Sequence, residues 1–204
     1  MIKSFILSIV FLITATIIPG EESSAQEWKL VKEENGIKLY NRHIEGFEFK
    51  EVKAILHLNA DLKKASTFLM NPKNIEKWMS GCSMSVEKKS GSNVKDYYAI
   101  FDAPWPISDR DDYGRIELRH LSDKRLHIDF RSIPDGTPKV SSMVRVPYSR
   151  GKLIIDIDAN GKKVLTYQFL VDRGGSLPDY LREYLENTSP VNTVEKLKYT
   201  LEKL

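Results

Sequence analysis

The sequence predicts an α+β fold in which a curved antiparallel sheet wraps around a long C-terminal helix. Residues 82–172 form a run of strand-like segments separated by short turn signals, a pattern typical of an antiparallel meander. Residues 47–58 change the parity of their apolar positions, which indicates a bend in the sheet. Residues 177–204 carry apolar side chains at helical spacing. Because a sheet with one apolar face needs a cover, this last helix is expected to lie against it.

Composition restricts the possible function classes. The 204 residues favour a single domain, and the 41% hydrophobic content is enough for a sizeable core. The net charge is +3, with 31 Lys and Arg against 28 Asp and Glu, which is too balanced to indicate a nucleic-acid-binding surface. Cys82 is the only cysteine, so an internal disulfide and a CxxC metal site are both excluded.

The first 25 residues have the pattern of a secretory signal. Lys3 is followed by an apolar run to residue 18, then by the helix breaker Pro19-Gly20 and the small residues Ser23-Ser24-Ala25. We expect cleavage after Ala25, which leaves residues 26–204 as the mature domain in the periplasm or secreted. The alternative is an uncleaved membrane anchor, since about 17 apolar residues can just span a bilayer.

The domain is expected to open with a helix and two strands. Residues 27–34 are predicted as a short helix that ends at Asn35-Gly36, and residues 37–44 as a strand before a turn at Glu45-Gly46. In residues 47–58 the apolar positions are odd at first and even later, so keeping all of them inside requires a bulge near Lys50-Glu51.

Two helical pieces, about six strands and the terminal helix follow. Asn59 or Asp61 is expected to cap the first piece, and Asn71-Pro72 to begin the second. Asn160-Gly161 predicts a two-residue mirror-type hairpin turn. The terminal helix is expected to begin at a Ser176 cap and to bend near residues 188–190, where Ser189-Pro190 restarts it. Further turn signals lie at residues 90–93, 122–124 and 134–136.

Six segments in register resemble the StAR-related lipid-transfer (START) domain family of the bacterial type. The segments are residues 35–40, the helix around Trp78, residues 102–106 running into Arg110-Asp111, residues 132–135, residues 144–146 and residues 172–178. The resemblance covers nearly all of residues 27–204. It implies the helix-grip fold, with a tunnel for a sterol, phospholipid or other hydrophobic molecule between the sheet and the last helix. The loop that holds Trp105 and the terminal helix would form its lid.

The chain also departs from the family pattern. Some sterol-binding members place an acid–arginine pair inside the cavity, and the matching positions here fall on Ile116, with Arg115 beside it, and near Tyr97. Sterol specificity is therefore not carried over.

No catalytic arrangement stands out in the sequence. His127, Asp129 and Arg131 alternate on one face of a strand whose other face is Leu126, Ile128 and Phe130. Because burying unpartnered polar groups costs about 1–3 kcal/mol each, we expect the polar face to lie in solvent. Cys82 is expected to be a small core residue.

These observations predict a non-enzymatic carrier that encloses a lipid or other hydrophobic molecule. We expect no cofactor or metal, transient contact with a membrane surface and a monomer. The alternatives are a helix-grip enzyme of the cyclase kind and a sensor that presents its ligand to a partner. Gly174-Gly175 are possible hinge positions. The predicted ligand-binding residues are Tyr98, Trp105, Met143, Tyr167, Phe169, Leu177, Leu181, Tyr184 and Leu185.

Overall fold

A computed structural model describes residues 26–204, which form one ten-stranded sheet and four α-helices. The predicted secretory signal lies outside these residues. The strands are β1 Lys29–Glu34, β2 Ile37–Arg42, β3 Glu51–Leu58, β4 Cys82–Ser90, β5 Val94–Phe101, β6 Arg110–Leu121, β7 Arg125–Ser132, β8 Val144–Arg145, β9 Tyr148–Ile157 and β10 Lys163–Asp172. The helices are α1 Leu62–Leu69, α2 Ile75–Trp78, α3 Asp179–Asn187 and α4 Ser189–Leu201, and a 3₁₀ turn, Pro72–Asn74, precedes α2.

The nine strands of the sheet's main path all pair antiparallel. Its strand order is β1-β2-β3-β10-β9-β7-β6-β5-β4, and only the short β8 pairs in parallel, beside β6. The meander predicted for residues 82–172 is confirmed, since its consecutive long strands are neighbours. The helical segment α1–α2 connects β3 in the middle of the sheet to β4 at its edge.

The predicted helix at residues 27–34 is wrong, because this segment is strand β1. It pairs antiparallel with β2 from Lys29 opposite Asn41 to Glu34 opposite Ile37. Asn35 and Gly36 both have positive φ, 51° and 74°, as a two-residue mirror-type turn requires. Asn35-Gly36 is therefore a hairpin turn between β1 and β2 and not the end of a helix.

The hairpin turn predicted at Asn160-Gly161 is wrong in its length. Residues 158–162 form a five-residue loop rather than a two-residue hairpin at Asn160-Gly161. The Asp158 carboxylate accepts hydrogen bonds from the backbone N–H groups of Asn160 and Lys162, at 2.9 and 2.8 Å. This side chain stabilises the wider loop in the way an Asx turn does.

The predicted bulge near Lys50-Glu51 is replaced by the end of the strand. The β2–β3 ladder runs without interruption from Lys38 opposite Ile55 to Arg42 opposite Glu51. Residues 47–50 lie outside the strand, so Phe49 can turn inward without a change of parity within the ladder. Phe49 packs against the start of the C-terminal helical region instead.

The core lies between one face of the sheet and the helices. Alternate residues of the central strands are completely buried, among them Leu126, Ile155 and Leu165. Helix α4 packs on this face through Val194, Leu197 and other buried residues of its apolar stripe. The predicted cover of the sheet by the terminal helix is confirmed.

The helix ends follow the sequence signals in part. Asp61 accepts from the backbone N–H groups of Lys63 and Lys64 and caps α1. Asn71 caps the 3₁₀ turn, with Pro72 at its first position. Ser176 is not a cap, because α3 begins after Pro178 and has no side-chain cap.

The predicted bend of the C-terminal helix is confirmed, since α3 ends at Asn187 and α4 begins at Ser189. Within residues 26–204 no helix has the length and apolar character needed to cross a membrane.

Candidate functional site

A row of three adjacent chambers lies between the inner face of the sheet and the helices α2, α3 and α4. We call them the mouth, middle and deep chambers, with volumes of about 260, 80 and 30 Å³. The mouth and middle chambers share Ser80, Phe101, Arg110, Arg173 and Ser189. The middle and deep chambers share Met79, Tyr97 and Phe130. Because neighbouring chambers share walls, only side chains separate one chamber from the next.

The deep chamber is apolar. Trp78 lies at its wall, 5% exposed, and its ring meets that of Tyr167 edge-on at 6.0 Å between centroids. No described residue accepts a hydrogen bond from the buried indole N–H of Trp78. Its other lining residues are Leu69, Ile75, Met79, Tyr97, Ile116, Ile128, Phe130 and Leu153.

Two glycines on the inner face make room for the rings that separate the deep and middle chambers. A Cβ atom at Gly114 would lie 2.4 Å from the ring of Tyr97, and one at Gly151 would lie 2.2 Å from the ring of Phe130. Both rings can therefore lie flat across the sheet only because these positions lack a side chain. Phe130 also stacks on Tyr167, with ring centroids 5.8 Å apart.

A buried acid lies in the wall of the middle chamber. Tyr97 Oη donates to Asp112 Oδ2 at 2.8 Å, and Ser132 Oγ donates to Asp112 Oδ1 at 2.7 Å. Desolvation by the surrounding protein raises the pKa of Asp112, and the two hydroxyl donors oppose this rise. Both carboxylate oxygens are thus occupied by protein hydroxyl groups.

Two arginines lie where the middle and mouth chambers meet. Arg110 is 6% exposed and donates to the backbone carbonyls of Ser108 and, at 3.2 Å, Gly174. Its buried Nε atom has no hydrogen-bond partner among residues 26–204. Arg173 is half-buried, and no described carboxylate forms a salt bridge with either guanidinium.

Burial lowers the pKa of the Arg173 guanidinium. Water can reach part of its side chain through the chambers, but protein surrounds the guanidinium closely enough to lower its pKa to about 10. The nearby Tyr167 raises this pKa and the nearby Arg110 lowers it, and no Asp or Glu carboxylate contributes. Arg173 nevertheless remains protonated at neutral pH, so the junction of the two chambers carries positive charge.

The mouth is bordered by the loop 102–109 and by helix α3. The backbone N–H of Ala103 donates to Asp109 Oδ1 at 2.9 Å, and Ser83 donates to Asp102. These bonds fix the loop at both ends, whereas Trp105 at its tip is 92% exposed. An anchored loop with an exposed aromatic tip is suited to contact another surface.

Helix α3 is held by the segment 47–50 rather than by the sheet. Glu186 accepts from the backbone N–H and the Nζ atom of Lys50, at 3.2 and 3.1 Å. Phe49 packs with Leu177 and Leu181 in a small apolar cluster separate from the main core. The apolar residues that hold α3 thus lie outside the main core.

Six of the nine predicted ligand-binding residues line the chambers. Tyr167 and Phe169 lie in the middle chamber, as the alternation of β10 predicts. The four residues of the last helical region line the mouth: Leu177, Leu181, Tyr184 and Leu185. Their contact with a ligand stays a prediction.

The other three predicted residues lie outside the chambers, so their inward placement is wrong. Tyr98 is on the outer face of β5, where its Oη donates to Asp111 at 3.1 Å, because Tyr97 takes the inward position. Trp105 points into solvent. Met143 lies in the loop just before β8 and lines none of the three chambers.

Sequence reasoning missed the charged residues of the cavity. Arg173 has the parity of the inward residues Tyr167 and Phe169 and follows the end of β10 directly, so continuing the alternation would have found it. Arg110 and Asp112 share the even parity of Ile116 on β6.

The catalytic-looking residues lie on the outer face. His127 Nε2 is 2.8 Å from Asp129 Oδ1, and Arg119 Nε donates to Asp129 Oδ2 at 2.7 Å. The predicted solvent-facing orientation of this polar row is confirmed. Arg115 forms a salt bridge with Asp96, also outside the chambers. Burial raises the pKa of the Cys82 thiol to about 12, which disfavours a reactive thiolate.

Comparisons with known proteins agree with this architecture. No protein-family model matches the chain. An uncharacterized protein of Pseudomonas aeruginosa, PA1579, is 27% identical over 199 residues, covering 97% of this chain and 98% of its own length. A STAR-related lipid transfer protein of Xanthomonas axonopodis is 27% identical, with a TM-score of 0.76 over 85% of this chain and 98% of its own.

More distant structures share the fold. Human STARD10 is 19% identical, with a TM-score of 0.73 over 89% of this chain and 76% of its own. The Zhui aromatase/cyclase of Streptomyces is 17% identical, with a TM-score of 0.52 over 75% of this chain and 93% of its own. The START resemblance and the helix-grip fold predicted from the motifs are confirmed.

Proposed function

We propose that this START-type domain binds one lipid or similar hydrophobic molecule in its three chambers and carries it through water. The observation that carries the proposal is the row of chambers between the sheet and the C-terminal helices. The likeness to a structure named as a lipid transfer protein supports it. Each CH₂ group that such a cavity hides from water contributes about 0.8 kcal/mol to retention.

The small size of the chambers indicates that side chains move when a ligand binds. The mouth chamber, at about 260 Å³, is slightly smaller than the roughly 300–1,000 Å³ of typical small-molecule pockets. A ligand that reaches the deep chamber must therefore push aside the side chains between the chambers. Met79 lies at that boundary, and methionine adapts its shape readily.

Helix α3 is the element best placed to open. Only Leu181 and Glu186 of its residues are buried, whereas seven residues of α4 are buried. An element with few buried contacts separates from the protein at a lower free-energy cost. We propose that α3 and the loop 102–109 move apart when the carrier meets a membrane. Gly174-Gly175, both with positive φ, are proposed as the hinge.

Trp105 is proposed to make that membrane contact. It lies beside Pro104, which lines the mouth, and it is 92% exposed. Tryptophan favours the boundary between headgroups and acyl chains because its ring is apolar and its N–H is polar. Replacing Trp105 with Ala should slow vesicle transfer and leave ligand affinity unchanged.

We also propose that the protein is exported from the cytoplasm. Residues 1–25 would direct the chain to the periplasm or the outside and be removed after Ala25. N-terminal sequencing of the mature protein from its host tests this, with Gln26 as the expected first residue. A first residue upstream of Ala25 would contradict the cleavage.

An enzymatic role has less support. The aromatase/cyclase neighbour shares the fold, but Arg115, His127 and Asp129 lie on the outer face of the sheet. Inside the chambers, the acid Asp112 is held by Tyr97 and Ser132. We therefore propose carriage without chemistry, by the mature domain as a monomer.

The test compares one substitution on the two faces of β10. Val171 lines the middle chamber, and Val164 on the same strand has the opposite parity. We expect V171F to reduce both the lipid extracted with the purified protein and the transfer between vesicles. V164F is the matched control and should retain both.

Two outcomes would contradict carriage. One is wild-type protein that yields no lipid by mass spectrometry and transfers none. The other is a V171F variant that folds and carries as much lipid as V164F. A change in Trp78 fluorescence on binding would support occupation of the deep chamber, whose wall Trp78 forms.

A further inference from the structure

Arg110 and Arg173 differ from the other interior charges of the molecule. The inner acid Asp112 has two hydroxyl donors, and the buried Asp111 is paired with Arg145 at 2.7 Å. Neither Arg110 nor Arg173 forms a salt bridge with a carboxylate of residues 26–204. A guanidinium removed from water without a counter-charge is costly, so its retention there points to an anion that arrives from outside.

The hydrogen bonds within the protein leave part of the donor capacity of the two arginines unused. Two nitrogens of Arg110 donate to the backbone carbonyls of Ser108 and Gly174, but its Nε atom is buried without a partner. Arg173 follows Val171 on the inward parity of β10 and faces the same two chambers as Arg110. Arg173 makes no side-chain hydrogen bond with residues 26–204, so its donors remain available beside Arg110.

Hydroxyl groups and acids surround Arg110 and Arg173 and determine which ligand charge can bind there. Ser80 and Ser189 line both chambers with the two arginines. Of the acids that line the mouth and middle chambers, Asp102 accepts from Ser83, and Asp112 accepts from Tyr97 and Ser132. Neither acid pairs with a guanidinium. Asp109, whose charge raises the pKa of Arg110, forms no salt bridge with it, so both guanidiniums lack a direct counter-charge.

We infer that Arg110 and Arg173 form an anion-binding subsite that holds the carboxylate or phosphate head of a single-chain amphiphile, with the chain running inward. This inference rests on the proposed carrier function and specifies its ligand class.

The direction of the chain follows from the order of the chambers. The cations lie between the mouth and middle chambers, and beyond them the wall changes to aromatic and aliphatic side chains such as Phe130 and Trp78. A charged head therefore stops at the arginines while its hydrocarbon continues to the deep chamber. The inner chambers, about 80 and 30 Å³, have no room for two chains side by side, and even one chain must displace side chains such as Met79 to fill them.

The experiment measures the affinity of delipidated wild-type protein for oleate, oleyl alcohol and oleoyl lysophosphatidate by calorimetry. Oleate and oleyl alcohol carry the same chain and differ in head charge. We expect each anionic ligand to bind about tenfold or more tightly than the alcohol, because charge-assisted hydrogen bonds form only with the anion.

The variants R173Q and R110Q should remove most of this advantage and leave alcohol binding within about twofold. R131Q is the matched control, since Arg131 is exposed on the outer face of β7. Far-ultraviolet circular dichroism verifies folding. If R110Q fails to fold, R173Q decides alone, because Arg173 makes no ion pair that its loss would break.

The outcomes separate this inference from the proposed function. If neither oleate nor oleyl alcohol binds, the carrier proposal fails. If the alcohol binds as tightly as oleate, or if R173Q weakens both equally, the anion subsite is refuted and carriage stands. Inorganic phosphate that binds as tightly as lysophosphatidate would show a site for free anions and refute the amphiphile.

Discussion

Buried arginines lie on both faces of strand β6, and only the one on the outer face has a carboxylate partner. On the outer face Arg145 lies against Asp111, with both side chains almost fully buried and two nitrogen–oxygen contacts of 3.0 and 2.7 Å. Three backbone carbonyls of the loop 133–143 accept its remaining donors. On the inner face Arg110 and Arg173 have no acid partner in the described part of the chain.

The difference teaches how to separate structure from function in one strand. A buried charge whose donors are all satisfied by the protein fixes the fold, since it attaches β8 and the loop 133–143 to β6. A buried charge that faces a cavity and keeps unused donors is costly to the fold, so it indicates a ligand that supplies the missing partner. The following predictions test this contrast, from the largest expected effect to the smallest.

The outer pair should carry the larger share of stability. Asp111→Ala leaves Arg145 buried without its counter-charge and should lower the free energy of unfolding by about 3–5 kcal/mol. Urea denaturation followed by circular dichroism measures it. Asp156→Ala is the control, because Asp156 pairs with Arg125 at the surface, and it should cost at most about 1 kcal/mol. Equal losses in the two variants would contradict a structural role for the Asp111–Arg145 pair.

The inner face should depend on space rather than on charge pairing. Gly114→Ala places a Cβ atom 2.4 Å from the ring of Tyr97, which must move and give up its bond to Asp112. We expect a loss of about 1–3 kcal/mol in the free energy of unfolding. Combining it with Tyr97→Leu should recover part of that loss, so the double-mutant cycle should show coupling. Strict additivity would mean that the glycine has another purpose.

Removing the unpaired inner cation should stabilise the empty protein. Arg173→Met keeps the length of the side chain and removes a desolvated charge, so the unfolding free energy of delipidated protein should rise by about 1 kcal/mol. Arg131→Met, at an exposed position, should change it by no more than about 0.5 kcal/mol. A loss of stability in Arg173→Met would show that Arg173 belongs with Arg145 and not opposite it.

Several elements could be predicted from the sequence because their signals are local. The caps Asp61 and Asn71 need only a side chain and the next backbone N–H groups. The alternation of β7 placed His127 outside and Ile128 inside, since period two is fixed by the strand itself.

The errors arose where a local signal had two solutions. Asn35-Gly36 suits both a helix stop and a hairpin, and pairing with β2 decided for the hairpin. Tyr97 and Tyr98 are neighbours of the same type, so only the register with β6 determined that Tyr97 faces inward. The break at residues 47–50 was mistaken for a bulge because its cause, contact with the C-terminal helical region, is remote in sequence.

By itself, the sequence determined the strand meander, the amphipathic last helix, its bend before Pro190 and the motifs that resemble those of START domains. Only the tertiary structure decided which polar groups enter the cavity and whether each has a partner there. The physical reason is that periodicity assigns a residue to a face, whereas the partner of a buried charge depends on elements far away along the chain. Arg145 finds Asp111 across 34 positions, and Arg173 finds no acid within residues 26–204.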